Sequence, residues 1–208
     1  MHNKLTEKKE IMMYTTQNGQ MKVDTLDKKK EYNFDDFKRG IFNLRTNFGE
    51  LAQIMIKKKY GFQNSNDKYY DLYDNDKRIE VKFSRAIEKE PPMNEKNAIE
   101  LCVKASKLNR IVSSNEATQK KFDCNIQQVK PKEFDILYYG VFFEDCIEIF
   151  IAESSQISQM PLFCSVQHKN NVGEGQFHIK RTNITYHREK HKCEIITYEE
   201  LFELLKKE

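Results

Sequence analysis

Apolar positions along this chain recur with a helical period in some blocks and with a two-residue period in others, and the switches between them outline the fold. From Asn33, a suitable N-cap, with Asp35 and Asp36 in the first turn, the stretch to residue 60 carries Ile41, Leu44, Phe48, Leu51, Ala52 and Met55 at helical spacing. Gly40 is a place where this helix can divide in two. KYYDLY (68–73) and RIEVKFS (78–84) then read as two strands joined by a tight turn of Asp74, Asn75, Asp76 and Lys77. After Pro91-Pro92 a helix is expected over 95–107. Strands follow at 122–129, 136–143 and 146–152, the last two as a hairpin. A strand over 193–197 leads into a terminal helix, where Thr197 and Glu200 form a capping box ahead of Leu201, Phe202, Leu204 and Leu205.

This order predicts an α/β fold, a central mixed β-sheet flanked by helices. Residues 1–32 are polar and Lys-rich without a sustained period, and are expected as a loosely packed arm or short helix. The expected organisation is one domain: arm 1–32, core 33–152, a polar segment 160–192, and a closing strand and helix 193–208.

Composition narrows the function classes. The 208 residues include 14 Phe and 10 Tyr, enough for a core without covalent staples, and only 7 Gly and 4 Pro. The 35 Lys+Arg against 32 Asp+Glu leave a net charge of +3, too small to identify a nucleic-acid binder by itself. Five scattered cysteines with no CxxC pair fit thiols in a reducing compartment rather than a disulfide or zinc scaffold. The charged start MHNKLTEKKE lacks the apolar stretch of a signal peptide, and the longest apolar run, 136–143, is shorter than a membrane span. The expectation is a cytoplasmic protein with no membrane partner.

Strand periodicity places Ile79, Val81 and Phe83 on one face of the second hairpin strand and Glu80, Lys82 and Ser84 on the other. Counting back through an even-length turn pairs 74 with 77, 73 with 78, and 71 with 80. Asp71 and Glu80 then face each other, with Cβ atoms about 4.5–5.5 Å apart, an arrangement that needs a cation or a proton between them. An all-oxygen pair suits Mg²⁺. Lys82, two residues on along the same face, reaches a metal-bound water or a phosphate oxygen. Acid-x-Lys also occurs at Glu7/Lys9, Asp27/Lys29 and Asp36/Lys38, so the weight lies on the apolar strand around Glu80 and on the matching Asp71. Asp74 and Asp76 are weaker candidates for the first acidic role because they lie in the turn.

The helix with GEL at 49–51, then YYD ending at Asp71, then IEVK over 79–82 resembles the PD-(D/E)XK nuclease superfamily, and within it the type II restriction endonucleases. Tyr70 stands where that motif has Pro. The resemblance implies Asp71 and Glu80 as Mg²⁺ ligands joined by the Val81 carbonyl, with Lys82 orienting or deprotonating the attacking water. It also implies Glu50 as a further acidic group near the metal. The activity implied is sequence-specific cleavage of double-stranded DNA by a homodimer. A repair or recombination nuclease of the same superfamily and a non-catalytic DNA-binding module are the alternatives.

From 167 to 191 the sequence QHKNNVGEGQFHIKRTNITYHREKH concentrates amide, imidazole and cationic side chains, those that read base edges and phosphates. A strand over 176–180 would turn Gln176, His178 and Lys180 outward together, with Phe177 and Ile179 buried. Asn183 and His187 complete the expected DNA-facing set in this segment. Arg85 and Lys89 are expected phosphate contacts, and Gln128 or Gln127, with Lys130, stands at a strand end near the scissile phosphate. His187 and His191, four apart, offer a zinc alternative that lacks further ligands at suitable spacing.

Overall fold

The computed structural model describes residues 10–15, 21–26, 31–104, 110–167 and 171–207. The chain divides into two compact units, 1–33 and 34–208. In the first, β1 (Glu10–Thr15) pairs antiparallel with β2 (Met21–Leu26), Glu10 opposite Leu26 and Thr15 opposite Met21. The expected arm or short helix is therefore replaced, over the described residues, by a hairpin. The signal was present: Asn18-Gly19 between the strands is the dipeptide that hairpin connections favour.

The second unit starts with α1 (Phe34–Asn43) and α2 (Phe48–Tyr60). The division falls at residues 44–47 rather than at Gly40. The guanidinium of Arg85 explains this, donating to the carbonyls of Ile41 (3.1 Å) and Leu44 (2.6 Å) and so satisfying acceptors that a continuous helix would have bonded internally. Strands β3 (Gln63–Asn64), β4 (Leu72–Asp74), β5 (Lys77–Arg85) and β6 (Ile87–Glu88) precede α3 (Ala98–Lys104). Then come β7 (Phe122–Val129), β8 (Ile136–Phe142), β9 (Cys146–Glu153), β10 (Cys164–Gln167), β11 (Asn171–Lys180), α4 (Ile184–Lys190), β12 (Lys192–Thr197) and α5 (Tyr198–Lys206). The polar segment 160–192, in which only a short strand was expected, contains a hairpin, β10–β11, and a helix, α4.

The architecture is α/β, with a mixed six-stranded sheet in the order β12-β9-β8-β5-β4-β3. Only β5 and β8 are parallel within it. A four-stranded sheet, β10-β11-β7-β6, lies over one face. Helices α1, α2 and α5 cover the other, where Ile79 and Val81 pack with Ile41, Met55, Ile56 and Leu201. The central strands β8 and β9 are buried on both faces, as their near-continuous apolar runs require. Gly140 of β8 has no room for a side chain, since a Cβ would stand 2.3 Å from the Phe83 ring. On the opposite layer α4 is tied to β9 by Arg188, whose Nε donates to Glu148 Oε2 at 3.0 Å and whose terminal nitrogen donates to Oε1 at 2.6 Å. Thr197 and Glu200 form the expected capping box of α5. Among the described residues no helix is long and apolar enough to cross a membrane.

Candidate active site

The turn between β4 and β5 fixes everything that follows. Asn75 and Asp76 both have positive φ (43° and 68°), the geometry of a two-residue hairpin turn, and Asp74 pairs with Lys77, Tyr73 with Arg78 and Leu72 with Ile79. That register carries Asp71 to Glu80. Regular pairing stops at Leu72, however, so the first strand is shorter than the expected 68–73. Asp71 donates its N–H to Ile79 O (3.0 Å), and its carboxylate Oδ2 replaces the missing ladder acceptor by taking the Val81 N–H at 2.9 Å. The N–H and C=O of one strand residue leave the same edge, so the Val81 carbonyl is directed to the side where Asp71 stands. The Asp71 carbonyl is held in turn by Ser65 N–H (3.1 Å) and by Gln53 Nε2 from α2 (3.2 Å).

On β5, Ile79 and Val81 belong to the helix-covered core, which turns Glu80 and Lys82 toward the four-stranded sheet. Their register partners on β8, Leu137 and Tyr139, lie in the core on that side. Glu80 is only 8% exposed. Burial pushes its carboxyl up to about 7; Lys82 opposes the rise, and the negative charge of Asp71, and less so that of Glu133, adds to it. The Lys82 ammonium makes a close ion pair with Glu80 Oε1 and lies 4.0 Å from Asp71 Oδ2. The cation required between the two facing carboxylates is thus supplied, in the protein alone, by Lys82 itself. Spacing on the strand could not reveal this, because it depends on the rotamer of a long side chain.

The donors here suit Mg²⁺: two carboxylates and a backbone carbonyl converge on one edge, and this ion commonly keeps several waters alongside one or two protein carboxylates. Glu50 is not brought into the cluster. It is exposed in the first turn of α2 and lines a shallow pocket with Gln53, Lys57 and Ser65. Among the described residues no group of three or more His, Cys, Asp or Glu is arranged to hold a metal. The zinc alternative at His187 and His191 finds no third ligand among the described residues.

The expected DNA-facing residues separate into three kinds. Gln176, His178 and Lys180 do alternate with the buried Phe177 and Ile179. They therefore face outward from the four-stranded sheet, away from Glu80 and Lys82, with a layer of core between. His178 Nδ1 is 2.7 Å from Asp123 Oδ1, and Asp123 also pairs with Lys89 at 3.5 Å. Gln128 (φ 57°) and Gln127 form a bulge on β7 opposite Gln176, and Lys130 just beyond pairs with Glu133 (3.7 Å) and Glu174 (3.4 Å).

Three others are turned inward, which corrects the expectation of nucleic-acid contacts. Arg85 stacks over Phe48 (3.7 Å to the ring centre) besides its bonds to α1, and burial lowers its pKa. Asn183 is 7% exposed; its Oδ1 accepts from Lys180 N–H (2.7 Å) and its Nδ2 donates to His178 O (2.8 Å), closing the turn before α4. His187 is fully buried, 2.9 Å from the Tyr139 hydroxyl through Nδ1, and packed among Phe150, Phe177 and His191.

Sequence reasoning missed Gln53 and Ser65, which hold Asp71, and Glu133, whose charge acts on Glu80. For Gln53 a signal existed, one helical turn after Glu50. Comparison of the chain with protein-family models, with curated proteins and with solved structures gave no match.

Proposed function

We propose that this protein is a Mg²⁺-dependent DNA endonuclease of PD-(D/E)XK type, hydrolysing phosphodiester bonds at the edge of β5. The observation that carries the reading is the convergence of Asp71, Glu80 and Lys82 on one strand edge, with the Asp71 carboxylate hooked to the Val81 N–H. Asp71 and Glu80, with the Val81 carbonyl, would hold the ion. When bound, Mg²⁺ would neutralise charge developing on the phosphate and lower the pKa of a coordinated water. Lys82 is the cationic group that contacts both carboxylates, and it would orient the nucleophile or stabilise charge as the bond breaks. A type II restriction enzyme acting as a homodimer on double-stranded DNA is the form the resemblance favours.

A structure-directed repair or recombination nuclease is the second reading. It is favoured by one observation: His178 and Lys180, expected to read bases, face away from the catalytic edge. One experiment tests both. The purified protein is incubated with unmethylated phage DNA and with branched and flapped oligonucleotides, in Mg²⁺ and in EDTA, and the products run on a gel. Discrete Mg²⁺-dependent bands support the restriction reading, and cleavage confined to branched or flapped substrates supports the second. Intact DNA throughout overturns both.

A further inference from the structure

The end of the molecule that carries Glu80 also carries a groove built from other elements. Strands β5 and β8 pair in parallel from Ile79 and Ile136 onward, and β7 delivers the chain to β8 through the 130–135 turn at that same end. The turn and the β10–β11 hairpin enclose a groove of about 770 Å³, lined by Pro131, Phe163, Val166 and Gly175, with Lys130, Lys132, Glu133 and Glu174 at its walls. That volume is of the order of small-molecule sites, ~300–1,000 Å³, and too small for a duplex.

Three features mark the groove as constructed. The Phe163 ring packs against Gly175, where a Cβ would stand 2.7 Å from the ring, so a side chain at 175 would push the ring away. Leu162, immediately before Phe163, is held at φ 61°, and Gln128, just before the turn, at φ 57°; left-handed backbone in residues other than glycine gathers where the surrounding fold enforces it, often at ligand sites. The 130–135 turn is docked on β5 beside Glu80, with Asp135 N–H donating to Arg78 O (2.9 Å) and Arg78 Nη2 donating to Asp135 Oδ1 (2.9 Å).

We propose that this groove receives one nucleobase, unstacked from the strand being cut, next to the scissile phosphate. Phe163 is the stacking platform, with Pro131 and Val166 as the apolar surround. Lys132, exposed at the rim, meets the flanking phosphate. The outer strand face with His178 does not adjoin the catalytic edge, whereas this groove does. The inference rests on the nuclease reading and names the part of the substrate that the site holds.

The test combines variants with cross-linking. Phe163→Ala, Gly175→Ala and Lys132→Gln are compared with wild type for Mg²⁺-dependent cleavage and for thermal unfolding. In parallel, phage DNA carrying 5-iododeoxyuridine in place of thymidine is irradiated with the full chain in Ca²⁺, and the adducts are mapped by mass spectrometry. The expected result is an adduct at Phe163 and a KM raised about 10- to 100-fold in both Phe163→Ala and Gly175→Ala, with Lys132→Gln weakened about equally on every sequence. Cleavage by wild type together with adducts confined to Gln176, His178 or Lys180, or with none at Phe163, overturns the groove and leaves the nuclease standing. Unchanged KM in both Phe163→Ala and Gly175→Ala does the same. No cleavage and no adduct overturns both readings.

Discussion

Two buried titratable centres face the same layer of this molecule and behave oppositely. At the edge of β5, Glu80 is buried as an acid beside an ammonium and a second carboxylate. In the core beneath α4, His187 is buried as a base among Tyr139, Phe150, Phe177 and His191, with its Nε2 lacking a hydrogen-bond partner among the described residues. Burial pushes the Glu80 carboxyl up to about 7 and the His187 imidazole down to about 3, the latter with a smaller contribution from His191. Both shifts favour the neutral form, but only the first centre keeps charges together at an open edge, with Lys82 a quarter exposed. The difference separates a centre that can exchange its partner cation from one that can only be satisfied or broken.

Removing the edge centre has the largest expected effect on activity. Asp71→Asn is predicted to abolish detectable Mg²⁺-dependent cleavage, and Lys82→Met to slow it by roughly 10²- to 10⁴-fold, measured as single-turnover rates.

Acid has the largest expected effect on stability, through the core centre. His187 is neutral in the fold and protonates near 6.5 when unfolded, so its contribution is intact above pH 6.5 and is lost progressively as pH falls toward 3, by at most about 5 kcal/mol. Denaturant unfolding at pH 7, 5 and 4 should show a steeper acid loss in wild type than in His187→Phe. Equal slopes would show that the imidazole is not held neutral.

The Glu80 effect has the opposite sign. Its folded-state pKa lies above the ordinary 4.5, so the fold is penalised as pH rises from 4.5 through 7, by up to about 3 kcal/mol. Glu80→Gln, with Asp71 left to hold Lys82, should stabilise the protein at pH 8 and have no effect at pH 4. A variant that destabilises equally at both would make the Glu80–Lys82 pair structural.

The smallest effect expected is at Asn183→Ala. Leaving the Lys180 N–H and His178 carbonyl unpaired should cost about 1–3 kcal/mol with cleavage per folded molecule unchanged. Lost DNA affinity at full stability would return Asn183 to the nucleic-acid interface.

The register that brings Asp71 to Glu80 was legible because an even, two-residue turn leaves only one pairing and the alternation of Ile79, Val81 and Phe83 orients it. The capping box at Thr197 and the strands β7, β8 and β9 were legible for the same local reasons. What was not legible depends on where long or amphiphilic side chains end up. Arg85 and Lys82 are cations in any sequence reading, yet one turns inward to cap α1 and the other lies between two carboxylates. The stretch 167–191 reads as uniformly polar because hydropathy scores imidazole and amide groups without their partners. His187 is apolar in effect once Tyr139 is beside it, and Asn183 is consumed by a turn. The hairpin of β1 and β2 was overlooked because its charge hid the Asn18-Gly19 signal.

The most direct test of the central claim separates binding from cleavage at the edge centre. DNA affinity in Ca²⁺ and cleavage in Mg²⁺ are measured for wild type, Asp71→Asn and Glu80→Gln on the same DNA. The account predicts affinity within a few-fold of wild type and no cleavage by either variant. Wild-type cleavage by both variants, or DNA binding without Mg²⁺-dependent cleavage by the wild type itself, would contradict it.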